Sequence, residues 1–142
     1  MPFIYALCGL PGSGKTTYST LLSEQHNAKL YHYDEFKIDT KATTSEQVHQ
    51  RLFSLIIEDL CNGCNVVLDD LHLTLEWRTR LLTTLNGVPC TKVLFVLTTP
   101  LDECIRRDTK RPKPLGEYVI KHLHRRYQPP SLDEGWDDIL FI

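Results

Sequence analysis

Gly9-Leu10-Pro11-Gly12-Ser13-Gly14-Lys15-Thr16 follows directly on the apolar run Phe3-Ile4-Tyr5-Ala6-Leu7-Cys8 and opens a stretch of helical patterning over residues 15–26. The pattern G-x-x-x-x-G-K-[ST], set between a strand and a helix, predicts a loop that cradles phosphates. Each residue type has a physical reason. Gly9, Gly12 and Gly14 allow the dihedrals that turn successive backbone N–H groups inward, and a side chain there would block the phosphates. The helix N-terminus adds partial positive charge. Lys15 supplies a point charge for β- and γ-phosphates, and the Thr16 hydroxyl suits Mg²⁺, a hard cation that prefers oxygen. Ser13 and Thr17 complete the expected nucleotide cradle.

Outward from this loop, the chain alternates short apolar runs with helical periodicity. Residues 29–33 read as a second strand, with Asp34 at its carboxyl end, and Leu21 and Leu22 of the preceding helix are expected to face inward. Thr43 and Glu46 read as a capping box for a helix carried by Val48, Leu52, Leu55, Ile56 and Leu60 and stopped near Gly63. Residues 65–68 form a third strand ending in Asp69-Asp70, and 75–85 another helix. Residues 92–97 make a fourth strand. Thr99 is the expected N-cap of the next helix, with Pro100 at its first position and Asp102 closing the box, and Pro112 limits its length. A helix over 117–127 and a closing strand over 138–142 complete the chain. Strands alternating with helices predict an α/β fold in three layers, a parallel five-stranded sheet covered on both faces. Ligands of such sheets bind beyond the strands' carboxyl ends, where the glycine loop, Asp34 and Asp69-Asp70 all fall.

The 142 residues suit one domain, 1–142, with 42% hydrophobic and 24% charged residues, close to an ordinary globular composition. Met1-Pro2-Phe3 runs straight into the first strand without a basic leader, and no apolar stretch approaches membrane-spanning length, so a cytoplasmic location and no membrane partner are expected. Five scattered cysteines imply reduced thiols and not a disulfide framework. Cys61-Asn62-Gly63-Cys64 lacks a second pair at zinc-ligand distance. The net charge of −2 gives no general attraction to nucleic acid. A local basic surface is carried by residues 106–126, which hold Arg106, Arg107, Lys110, Arg111, Lys113, Lys121, Arg125 and Arg126 against Asp108 and Glu117.

Three further groups are candidates for chemistry. Asp70 or its neighbour Asp69 stands where a carboxylate could hold the Mg²⁺ shell, adjacent strand residues pointing to opposite sides. Asp34 could take a proton from an acceptor hydroxyl. Arg107 and Arg111, four apart, are expected to share a helix face within a basic lid over about 107–127, where guanidinium groups suit the charge of a transferring phosphoryl group. Among the histidines, His72 lies nearest the expected site. No N-K-x-D guanine-reading motif is present.

With these residues placed, the chain resembles, over nearly its whole length, the kinase domains of phage and bacterial polynucleotide 5′-hydroxyl kinases, within the zeta-toxin and polynucleotide-kinase-like clan of P-loop NTPases. That family carries GxPGSGK[ST], then an Asp-x-x-Arg general-base segment that falls on Asp34-Glu35-Phe36-Lys37, then an acidic strand end, here Asp69-Asp70. Its lid arginines fall on Arg107 and Arg111, a Glu-Tyr-Val-Ile-like helix on Glu117-Tyr118-Val119-Ile120, and a closing Glu-Gly-aromatic segment on Glu134-Gly135-Trp136. The resemblance implies the P-loop NTPase fold, ATP as donor, Asp34 as general base, and Arg111 or Arg107 against the phosphates; Asp34 and Lys37, with His72 by its nearness to Asp70, are the residues expected toward the acceptor. Lys37 stands where the family's Arg helps orient the acceptor phosphate, and Lys lacks the bidentate fork. Leu71-His72 replaces a common Thr-Asn. Since similar kinases act on aminoacyl-tRNA, sugar nucleotides and small antibiotics, the expected acceptor is an RNA or DNA 5′ end, with a small alcohol as the alternative. A regulatory NTPase without kinase activity is the reading of another class. No obligate protein partner is evident.

Overall fold

The computed structural model describes residues 1–40 and 44–142, with 39 and 40 described by their backbone alone. Five strands, β1 (Phe3–Cys8), β2 (Lys29–His32), β3 (Val66–Asp69), β4 (Thr91–Val96) and β5 (Asp138–Phe141), pair in the order β2-β3-β1-β4-β5, every pair parallel. β1 is central and buried from Ile4 onward, as its continuous apolar run requires for a strand covered on both faces. The parallel arrangement brings the carboxyl ends of β1, β2 and β3 to one edge, and the register pairs His32 with Asp69 there.

Alternation along the strands divides the core into two faces. On one, Ile4, Ala6 and Cys8 of β1 pack with Val66, Leu68, Leu94 and Val96 against α3 (Ser45–Cys61), α4 (Leu75–Thr84), α5 (Leu101–Asp108) and α6 (Glu117–Arg126). On the other, Tyr5, Leu7, Val67, Val93 and Phe95 meet Leu22 and Tyr18 of α1 (Lys15–His26). Helices thus cover both faces of a five-stranded parallel sheet, the expected α/β architecture. Leu21, expected inside, is 44% exposed, because Tyr18 and Leu22 define the inward stripe of α1 and Leu21 lies a quarter-turn away. Leu55 of α3 is exposed in the same way, while Val48, Leu52, Ile56 and Leu60 are buried.

Several ends differ from expectation. β2 stops at His32, and Tyr33 opens α2 (Tyr33–Thr40), a helix that the pattern did not reveal. Asp34 therefore lies in a helix's first turn and not at a strand end. The N-cap of α3 is Thr44, whose Oγ1 accepts the Gln47 N–H at 3.2 Å; the cap expected at Thr43 lies outside the described residues. Thr99 does not cap α5, whose N-cap position is Pro100; its hydroxyl donates to the Ser13 carbonyl at 2.8 Å. α5 ends at Asp108, so Arg111 sits in the following turn, its N–H donating to the Asp108 carbonyl at 3.0 Å.

Arg78 of α4 is wholly buried, its guanidinium donating to both Glu134 carboxylate oxygens at 2.8 and 3.0 Å and to the His72 carbonyl at 3.0 Å. This joins α4, the segment after β3 and the short 3₁₀ turn Leu132–Glu134. All five cysteines are free thiols. Among the described residues no helix is long and apolar enough to cross a membrane.

Candidate active site

Between β1 and α1 the chain makes the turn that the glycines allow. Gly12 and Gly14 have φ of 84° and 99°, in the left-handed region open to glycine. A Cβ on Gly12 would stand 2.5 Å from the Cys104 carbonyl oxygen, and one on Gly9 2.7 Å from Ser13 Oγ. The glycines are thus required by close packing against α5 and within the loop itself, and Gly9, without a positive φ, is needed for space alone. The Ser13 N–H donates to the Leu10 carbonyl at 3.0 Å, and the Gly9 N–H to the Leu71 carbonyl at 3.0 Å, which ties the loop to the segment after β3.

Two observations show that this loop suits an anionic ligand. Ser13 Oγ is buried with no hydrogen-bond partner among the described residues, an arrangement that is costly unless a further partner serves it. Lys15 arches back so that Nζ donates to the Leu10 carbonyl at 3.0 Å. Burial pulls its pKa below the ordinary lysine value and Arg111 adds to this, against the opposing pull of the Asp69 and Asp70 carboxylates. A phosphate would supply the charged partner that a neutral carbonyl does not.

Two cavities adjoin the loop. The first, about 730 Å³, runs along Gly12 to Tyr18 toward Leu21, Leu97 and Ile142, with Thr17, Thr99 and Arg107 in its wall. The second, about 640 Å³, lies between α2, α3, α4 and the lid, with Tyr33, Asp34 and Glu35 at one side and Trp77 and Leu123 at another. Lys15, Thr16 and Arg111 line both cavities. They mark the junction at which a group could pass from one side to the other.

The two adjacent acids turn to different partners. Asp69 is buried, its Oδ2 accepting from Thr16 Oγ1 at 3.4 Å and from His32 Nδ1 at 2.7 Å. Asp70 accepts the Leu71 N–H at 2.7 Å, and its Oδ2 lies 3.9 Å from His49 Nε2. Burial would raise the Asp70 pKa, but the neighbouring His49 and His72 rings and the Leu71 amide hold it below the usual carboxylate range. The Thr16 hydroxyl and the Asp69 carboxylate form a pair of hard oxygens fit for Mg²⁺, and Asp69 is the acid of the two that reaches Thr16.

Asp34 is exposed on α2 and lines the second cavity. Lys37, one turn further along α2, is exposed and lines neither. His72 borders the second cavity, but its Nδ1 donates to the Leu7 carbonyl at 2.7 Å and its backbone holds a left-handed φ of 47°. Its imidazole is thus anchored to β1 by one nitrogen. Arg107 donates through Nε to Glu103 Oε1 at 3.0 Å and through a terminal nitrogen to the Gly12 carbonyl at 3.4 Å. Arg107 and Arg111 do not share a helix face, yet both reach the first cavity.

Other contributors escaped the sequence reading. Asp108 is buried and accepts the Leu115 and Gly116 N–H groups at 3.0 and 2.9 Å, which pins the base of the lid loop that carries Arg111. His32 holds Asp69, and Arg80 and His49 line the second cavity. Only Asp108 had a local signal, as an acid amid a basic run ahead of a Gly.

A five-stranded parallel sheet with a glycine-rich loop leading from its central strand, Thr16 facing an acidic strand end and a basic segment after α5, defines a P-loop kinase fold. The chain belongs to the AAA domain family, whose model matches residues 4–130. It is similar to the L-seryl-tRNA(Sec) kinase of Methanococcus maripaludis, with 26% identity over 141 residues, covering 92% of this chain and 54% of that protein. It thus spans about half the length of that relative. Among solved structures it is similar to a chain of the Pnkp1/Rnl/Hen1 RNA repair complex (TM-score 0.76, 22% identity, 88% of this chain and 43% of that one). It is also similar to the Mycobacterium tuberculosis APS kinase in complex with AMPPNP and APS (TM-score 0.73, 19% identity, 99% and 88%). The structural likenesses bear on the fold.

Proposed function

We propose that this protein is an ATP- and Mg²⁺-dependent phosphotransferase that moves the γ-phosphoryl group to an alcohol, with a 5′-hydroxyl end of RNA or DNA as the leading acceptor. The observation that carries this reading is the shared lining of the two cavities by Lys15, Thr16 and Arg111. A donor in the first cavity and an alcohol in the second would meet at these side chains.

In this reading the loop amides and Lys15 hold the triphosphate tail, and Arg111 presents planar donors to the charge on the moving group. Arg107, on the donor side alone, steadies the phosphates from the α5 end. Asp34 accepts the acceptor's hydroxyl proton. Mg²⁺, held by Thr16 and Asp69, would neutralise phosphate charge during transfer. The lid excludes water that would otherwise compete with the alcohol.

Similarity to a tRNA-directed kinase and to a chain of an RNA repair complex supports a polynucleotide acceptor. The second reading, a small-alcohol kinase, draws on the 640 Å³ volume and partly apolar wall of the second cavity, which suit a single small residue. Incubation with γ-labelled ATP and a panel of 5′-hydroxyl oligonucleotides, nucleosides and sugar nucleotides separates the two. Asp34→Asn should abolish transfer to the acceptor while nucleotide binding persists; undiminished turnover would remove Asp34 from the mechanism.

A further inference from the structure

The second cavity carries a cation that phosphate transfer does not use. Of the lysine and arginine side chains lining it among the described residues, Lys15 and Arg111 also line the first cavity, whereas Arg80, from α4, faces the second cavity alone. Its present partners hold it poorly. Glu46 Oε2 lies 3.7 Å away on a side chain 65% exposed, too long for a good hydrogen bond and screened by water.

The other partner is His49 Nδ1, 3.0 Å from a terminal nitrogen of Arg80 and 2.9 Å from the Ser45 carbonyl. The carbonyl requires a proton on Nδ1, and the guanidinium requires a lone pair there. One nitrogen cannot meet both demands. Whichever nitrogen carries the proton, a neutral ring does not balance the guanidinium's charge, so the Arg80 fork is better served by an anion brought into the cavity.

We infer that the acceptor is an alcohol bearing a second, phosphate-like anionic group, and that Arg80 grips this group. This rests on the reading that the second cavity takes the acceptor. It reassigns the anion-orienting task from Lys37, which lines neither cavity, to α4. Arg80 is then a specificity residue: its planar fork matches two phosphate oxygens, which Lys37 could not do even if it reached them. The anion could be a phosphomonoester on a small molecule or the phosphodiester of a polynucleotide.

The test is equilibrium binding to protein saturated with AMPPNP and Mg²⁺, using uridine, uridine 3′-monophosphate and the dinucleotide UpU. Both phosphorylated probes should bind about tenfold or more tighter than uridine, and Arg80→Gln should bring all three within about twofold, with Arg80→Lys intermediate. Preference for the monoester alone identifies a small phosphorylated acceptor, and preference for UpU a polynucleotide; either supports the inference. Equal binding of all three to the wild type, no saturable binding of any, or a preference that survives Arg80→Gln overturns it, as does a loss confined to Lys37→Gln. Labelled transfer from ATP, measured separately, judges the kinase reading. An anion preference without transfer would sink that reading and leave the Arg80 contact standing.

Discussion

Adjacent on the chain, Asp69 and Asp70 turn one carboxylate to Thr16 and His32 and the other to His49 and the Leu71 amide. Their substitutions should therefore differ in kind. Asp69→Asn is expected to lower turnover by about 100-fold and raise the Mg²⁺ concentration needed for half-maximal rate, whereas Asp70→Asn should cost less than about tenfold with little change in that requirement. A Mg²⁺ titration of initial rates decides, and an equal shift for both variants would remove the distinction. Strand alternation shows from sequence that the two side chains point apart. It does not show which faces the loop, because Thr16 reaches Asp69, and His49 reaches Asp70, only through long-range folding. Gly12 is legible in the other sense. Its place in the motif demands a glycine, and the structure adds that Ala there meets both a φ of 84° and the Cys104 carbonyl at 2.5 Å. Gly12→Ala should cost about 1–3 kcal/mol of stability, measured by urea unfolding, and abolish calorimetric nucleotide binding.

At the scale of elements, the proposed lid depends on a buried carboxylate. Asp108 closes α5 and accepts two amides from the loop that returns toward α6, so the position of Arg111 is set between those bonds and the turn after α5. The Gly116 and then the Leu115 amide hold the Asp108 pKa below the usual carboxylate value. A depressed acid contributes to loop order at neutral pH and loses that contribution as pH falls through its folded value. Asp108→Ala should speed amide exchange at Leu115 and Gly116 and reduce kcat more than ATP affinity, since Arg111 would lose its support; unchanged exchange would refute the pinning role. Elements were unevenly legible. The long helix α3 shows a clear periodicity, whereas α2 has only eight residues, begins where β2 ends, and offers a pattern too short to be told from a strand's polar end. Arg111 was expected on the helix because spacing alone does not report that α5 stops at Asp108.

For the whole molecule, parallel alternation of strands and helices was written in the pattern, but the order β2-β3-β1-β4-β5 and the route of the C-terminal segment are products of pairings distant in sequence. Arg78 and Glu134, 56 residues apart, illustrate the second point. A fully buried arginine has no local signature, and its partner reads only as an acid near a turn. Together they hold the segment leading to β5 against α4 and the His72 carbonyl, and so brace one wall of the second cavity. Glu134→Gln leaves the buried guanidinium without its counter-charge and should cost about 3–5 kcal/mol in urea unfolding at neutral pH. The pH dependence follows from the same bond. Burial alone would raise the Glu134 pKa, but hydrogen bonding and charge from Arg78, with the Trp136 indole and the Ser131 amide, bring it below the ordinary glutamate value. Its folded value being the lower one, the contribution is complete above the unfolded glutamate pKa and drains away as pH falls toward the folded value. The wild type should therefore lose stability more steeply than Glu134→Gln on acidification, and the gap between them should narrow below about pH 4. Parallel curves for the two proteins across that range would show that the pair does not carry the acid sensitivity assigned to it.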